Sequence, residues 1–119
     1  MKISDAYYTY GISKRKLAKM IPNISEDQPV KKLYVVTLPI LEHGLLEIYE
    51  YGKLLHKFYD GYREDITVVG LAPDEESAFL LVEEMIQDVY DATGDKLSVK
   101  EFFADGGKKK DASHHTPRS

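Results

Sequence analysis

The stretch that most restricts what this chain can fold into is the run ITVVGLA at residues 66–72, together with the helix signals just downstream. A short, β-branched and almost wholly apolar run predicts a strand buried on both faces or set in the centre of a sheet, because nothing in it alternates toward water. Pro73-Asp74-Glu75-Glu76 comes next and opens a long helix predicted to reach about Thr93. Asp74 is suited to cap the free backbone amides, the acids favour the positive end of the helix dipole, and Gly94 supplies a C-terminal stop. Within this helix Ala78, Val82, Met85, Ile86 and Val89 recur at steps of three and four, with Phe79, Leu81 and Tyr90 widening the stripe. A stripe of that width predicts a helix laid across a sheet. Glu83, Glu84, Gln87, Asp88 and Asp91 occupy the other face as a ridge of negative charge.

Two further strands lie upstream. LYVVTL at 33–38 is β-rich and ends at Pro39, and LLEIYEY at 45–51 alternates in part. The short connection PILEHG makes an antiparallel hairpin the natural reading, with Gly44 free to take a positive φ angle. KLLHKFY, residues 53–59, predicts a short helix with Leu54, Leu55 and Phe58 facing inward. SVKEFF, residues 98–103, has the spacing of a capping box at Ser98 and Glu101, yet suits an edge strand equally well. Near the start, Ser13 is a helix cap, Leu17, Met20 and Ile21 share a face, and Pro22 is expected to stop the helix. These elements predict an α+β fold of two layers: a three- or four-stranded sheet, mixed or antiparallel, covered by one long helix, with a short N-terminal helix.

A chain of 119 residues has room for one such core. Its parts read as a basic helix and linker over 1–29, the core domain over 30–105 and a disordered basic tail over 106–119, where Ala112 is the one apolar residue. Charge divides the same way: residues 1–32 hold seven basic and three acidic side chains (+4), residues 33–105 five and sixteen (−11), and residues 106–119 four and one (+3). A middle so acidic repels phosphate backbones and favours basic partners, while either basic end suits an acidic protein surface or nucleic acid. The chain has no cysteine, which removes disulfides and thiolate chemistry. No segment approaches the ~20 apolar residues that cross a bilayer, and MKISDAYYTYG does not read as a signal peptide. The expectation is a cytoplasmic protein without membrane contact.

Chemistry is hard to find. No phosphate-binding glycine motif is present, and none of the four histidines has a metal or catalytic spacing, so no cofactor and no metal are expected. His114 and His115 fall in the tail; His43, beside Glu42 in the hairpin loop, is the residue around which a small enzyme would have to be built; His56 near Asp60 reads as a surface pair. Tyrosine is the stronger signal. Of nine, Tyr49, Tyr51, Tyr59 and Tyr62 cluster about the second strand and the short helix, where rings can bury their bodies and leave hydroxyls at the rim of an interface. The opening YGISKRKLAKMI, residues 10–21, resembles the second helix of a helix-turn-helix domain: Gly11 at the turn, Ser13 as cap, Lys14, Arg15 and Lys16 exposed, Lys19 placed for phosphate. That motif also needs a supporting helix before the turn, for which ten residues leave little room.

The strands YVVTLP, GLLEIY and VVGLA and the helix VEEMIQDVY give residues 32–103 a resemblance to small uncharacterised bacterial proteins, some associated with mobile elements. No activity is assigned to those proteins, so the resemblance implies one fold unit and no catalytic residues. The expected function is a non-enzymatic interaction or regulatory module, touching a protein partner through Tyr49, Tyr51, Tyr59 and Tyr62 or through Glu83, Glu84 and Asp88. A small DNA-binding regulator using Lys14, Arg15, Lys16 and Lys19 is the alternative, and self-association is left open.

Overall fold

A computed structural model describes residues 1–39, 44–104 and 106–107. Strand β1 (Lys2–Thr9) leads to helix α1 (Lys14–Ser25), strands β2 (Tyr34–Thr37) and β3 (Glu47–Glu50), short helix α2 (Tyr51–Leu54), strand β4 (Thr67–Ala72), helix α3 (Glu75–Thr93) and helix α4 (Val99–Ala104). Two 3-10 turns, Lys57–Tyr59 and Arg63–Asp65, separate α2 from β4. The strands form one sheet in the order β1-β4-β2-β3. β4 runs parallel to β1 and antiparallel to β2, and β2 is antiparallel to β3. The sheet is mixed, four-stranded and covered by the long helix, an α+β fold.

β4 is the inner strand its apolar run announced: Val68, Val69, Leu71 and Ala72 are all inaccessible to solvent. α3 begins where Asp74 Oδ1 accepts the Ser77 backbone N–H at 2.8 Å and ends at Gly94, whose left-handed φ of 78° lets its N–H reach the Tyr90 carbonyl at 2.8 Å. Leu81, Met85 and Val89 face the sheet, and each such burial contributes roughly 1.5–3 kcal/mol. Gly70 lies closely under α3: a Cβ there would come within 2.6 Å of Met85 Cε and 3.1 Å of Val36 Cβ, so a larger residue would displace the flexible end of Met85 and press on Val36.

Both faces of the sheet carry an apolar cluster. Under α3 and α4 lie Val36, Val69, Ala72, Met85, Phe102 and Phe103. Under α1 and α2 lie Leu17, Ile24, Val35, Tyr51, Leu54 and Leu71. The short N-terminal helix therefore closes the second face, and residues 2–25 share a continuous apolar body with the rest.

Several local expectations are corrected. β1 is absent from the expected elements; KISDAYYT has no long apolar run, and the parallel partner that makes it a strand lies far along the chain. Pro22 sits inside α1 instead of ending it. A proline removes one helical hydrogen bond and crowds the preceding turn, and the complete burial of Ile24 just beyond it favours continuing the helix by roughly 1.5–3 kcal/mol. Residues 53–59 are not one helix: α2 stops at Leu54, a 3-10 turn comes after it, and Phe58 points outward, 68% exposed. Residues 98–103 form helix α4 and not an edge strand. On α3, Phe79 and Tyr90 are exposed where inward positions were expected. Asp88, expected on the solvent ridge, is buried and accepts the Tyr8 hydroxyl at 2.5 Å.

Candidate functional site

The sheet has two edges, and they differ in construction. At β1 the register slips: Ile3 pairs with Val68 and Tyr8 with Gly70, so five steps along β1 match two along β4. The extra residues bulge from the ladder, and Ser4 Oγ takes up the Ala6 N–H at 3.1 Å. Tyr8 packs edge-on against Phe103, ring centroids 6.1 Å apart, and a Cβ on Gly107 would meet Ala6 Cβ at 2.9 Å, so α4 and the turn after it crowd this strand. Between β1 and α1 lies an open groove of about 910 Å³ walled by Tyr7, Ile12, Lys14, Leu17 and Ile21. Thr9 Oγ1, beside it, is buried and has no hydrogen-bond partner among the described residues.

β3 is regular. Its four residues pair one for one with β2, Glu47 with Thr37 through Glu50 with Tyr34, and among the described residues its other side has no strand partner. Alternation sends Ile48 toward the α3 side and Glu47 and Tyr49 toward the α2 side, where Tyr49 donates to Glu47 Oε1 at 2.9 Å. Immediately after β3 the chain turns into α2 and the first 3-10 turn, which places an aromatic group beside the edge. Tyr59 stacks edge-on against Tyr49 at 6.2 Å and against Phe58 at 5.0 Å, and Phe58 meets Tyr62 at 6.2 Å. Phe58 and Tyr62, 68% and 48% exposed, are the outer members. An open hollow of about 620 Å³ lies here, walled by Glu50, Lys53, Leu55, His56, Phe58 and Tyr59.

The segment that carries these rings is stapled from behind. Arg63 Nε donates to the Leu54 carbonyl at 2.8 Å, and its terminal nitrogen donates to the His56 carbonyl and to Asp60 Oδ1, both at 2.9 Å. His56 Nδ1 accepts the Phe58 N–H at 3.2 Å and so starts the turn. Its expected surface pairing with Asp60 is replaced by this capping role, with Arg63 as the partner of Asp60. Tyr51 is corrected too: it is fully inaccessible, donating to the Gln28 carbonyl at 2.6 Å, and belongs to the core beneath the patch. Burial first, and then the charge of Asp27 against an opposing effect of Arg63, pushes its phenol up to about 12. The Tyr49 phenol is likewise pushed up to about 12 by burial and then by its bond to Glu47. Both therefore stay neutral donors at ordinary pH.

The acidic ridge on α3 is narrower than its sequence suggests. Glu83 is exposed, Glu84 half-buried and Asp88 inside, which leaves Gln87 and Asp91, hydrogen-bonded at 2.8 Å, as the outward members further along. Lys14, Arg15, Lys16 and Lys19 are all exposed on α1 and form no ion pair among the described residues. The element before Gly11 is strand β1, so the supporting helix of a helix-turn-helix is replaced by a strand. Gly11 itself makes the strand-to-helix turn at φ 70°.

Among the described residues no group of three or more His, Asp or Glu is placed to hold a metal ion, and no helix is long and apolar enough to cross a membrane. His43 with Glu42, and His114 and His115 in the tail, lie outside the described residues. No family model matches the chain, and comparison with curated proteins and with solved structures finds no match.

Proposed function

We propose that this chain is a non-enzymatic protein-interaction module whose binding surface is the free side of β3 with the aromatic group Tyr49, Phe58, Tyr59 and Tyr62. One observation carries the reading: a regular strand that has no strand neighbour on one side, among the described residues, stands beside two large exposed rings. Unpaired strand N–H and C=O groups are a template for another chain, and aromatic rings held in place by a rigid backbone supply contact area at low entropic cost. The Arg63 staple provides that rigidity. The ridge of Glu83, Glu84 and Asp88 is the weaker candidate, because Asp88 is engaged inside the protein.

Affinity isolation from cells that naturally express the chain tests this, run with the wild-type protein and with Phe58→Ser combined with Tyr62→Ser. A partner retained by the first and reduced at least about tenfold by the second is expected, as for loss of interface anchors worth ~1.4 kcal/mol or more. Equal recovery by both proteins, or no partner at either salt extreme, overturns the reading.

A second reading has its own support. α1 places Lys14, Arg15 and Lys16 in its first turn with no acid there, against the preference of the helix dipole for negative charge. Such an arrangement suits an anionic surface, nucleic acid included. A gel shift abolished by Lys14→Glu with Arg15→Glu supports it, and binding indifferent to both changes removes it.

A further inference from the structure

We infer that the free side of β3 selects an extended partner segment with the pattern basic, apolar, apolar, basic, which adds to the sheet as a fifth strand. This rests on the reading of β3 as an interface and specifies its occupant.

The four edge residues are Glu47, Ile48, Tyr49 and Glu50. In strand pairing, residues directly opposite one another point to the same face and have Cβ atoms within about 5.5 Å, so each edge residue chooses the chemistry of its opposite number. Strand alternation assigns Glu47 to the Tyr49 side of the sheet and Glu50, the last strand residue and at the rim of the hollow beside α2, to the Ile48 side. A strand laid along this edge thus meets one carboxylate on each face, three residues apart, and two apolar positions between them. Because Glu-Ile-Tyr-Glu has the same charge pattern in both directions, the same complement is required whether the partner runs parallel or antiparallel. Lys or Arg opposite each Glu answers the charge, while like charge there is penalised. Hydrophobic residues between them extend the surfaces of Ile48 on one side and of Tyr49, Tyr59 and Phe58 on the other.

The wider charge points the same way. Residues 33–105, which contain this edge, carry sixteen acids and five bases. Lys53 and Lys57 are the cations nearest in sequence, and neither is ion-paired to Glu50 among the described residues. A second copy of the chain would bring an equally acidic surface against this one, so a basic partner segment is favoured over self-pairing. The β1 side is a poor alternative for strand addition, since its ladder is interrupted by the bulge.

Fluorescence anisotropy on the full chain with labelled synthetic peptides provides the test. One peptide has the centre Lys-Val-Tyr-Lys, a second Glu-Val-Tyr-Glu, and a third the first pattern with both central residues replaced by proline. The basic peptide is expected to bind at least about tenfold tighter than the acidic one, two cross-strand ion pairs differing in sign. The proline peptide should not bind, having lost the N–H groups that join a ladder. Glu47→Lys with Glu50→Lys should reverse the preference, and backbone amide exchange in residues 47–50 should slow when peptide is bound. Equal affinity for both charge patterns, binding that survives proline, or slowing confined to β1 overturns the inference. Failure of every peptide while Phe58 and Tyr62 still govern partner capture would leave the interface standing and remove the strand pattern. Sedimentation of the chain alone adds one more outcome: a dimer with protected 47–50 amides would make a second copy the occupant and overturn it.

Discussion

The two outer strands of the sheet are built differently, although among the described residues each lacks a strand neighbour on one side. β1 is bulged, covered by α1 on one face and by α4 on the other, and tied to α3 through the bond between Tyr8 and Asp88. β3 is straight, one residue for one, with an aromatic group next to it that stays partly in water. An irregular, buttressed rim resists pairing with other chains, whereas a flat one invites it. The difference teaches that exposure alone does not mark an interaction surface. What distinguishes β3 is regular backbone, a rigid support in Arg63 and large side chains that the fold leaves unused.

The contrast can be broken most strongly at Phe103. Phe103→Ala opens a cavity beneath β1 and is expected to cost about 3–5 kcal/mol by denaturant unfolding, enough to unfold a marginal domain. If the protein tolerates it with less than ~1 kcal/mol lost, β1 does not depend on that buttress. Tyr8→Phe keeps the ring and removes the hydroxyl given to buried Asp88, for an expected loss of about 1–3 kcal/mol. An unchanged midpoint would show that this tie does not hold the β1 side together.

On the β3 side the largest effect should be one of pH. Folding keeps the proton on Tyr49 and Tyr51, whose phenols are raised from 10.0 to about 12, so their contribution is complete below pH 10.0 and is lost as the pH rises toward 12. Thermal unfolding followed across that window should show a falling midpoint, with the fall reduced in Tyr51→Phe; a flat profile would contradict the burial of these rings. Smallest of all, Phe58→Ser with Tyr62→Ser should change stability by no more than about 0.5 kcal/mol per site while removing partner binding. A large destabilisation there would mean that the aromatic group is structural, and the contrast between the edges would fail.

How far these features are legible in the sequence depends on the range over which they act. β4, α3 with its Asp74 cap and Gly94 stop, and the hairpin strands β2 and β3 are set by residues close in sequence, and their patterns announce them. The cluster of Tyr49, Tyr59 and Tyr62 is visible for the same reason, because one short segment carries it. β1 and the burial of Asp88 are not. A strand defined by a parallel partner and an acid satisfied by a tyrosine 80 positions away leave no local trace. Phe58 turns outward because the break between α2 and the 3-10 turn comes just before it, and Tyr51 is held inside by the Gln28 carbonyl 23 positions away, which no local pattern shows. The Arg63 staple is hidden because it acts on backbone carbonyls, for which no side-chain pattern exists.

The parallel match of Lys2 with Thr67 joins positions 65 apart (67 − 2), which has a consequence for how the molecule is made. On a ribosome adding roughly 5–20 residues each second, the opening strand waits on the order of several seconds before the segment it needs has even been synthesised. During that interval Lys2, Ile3, Tyr8 and Thr9 have no ladder partner. Closure of the β1–β4 ladder should accordingly be a late event in refolding, slower than formation of the β2–β3 hairpin.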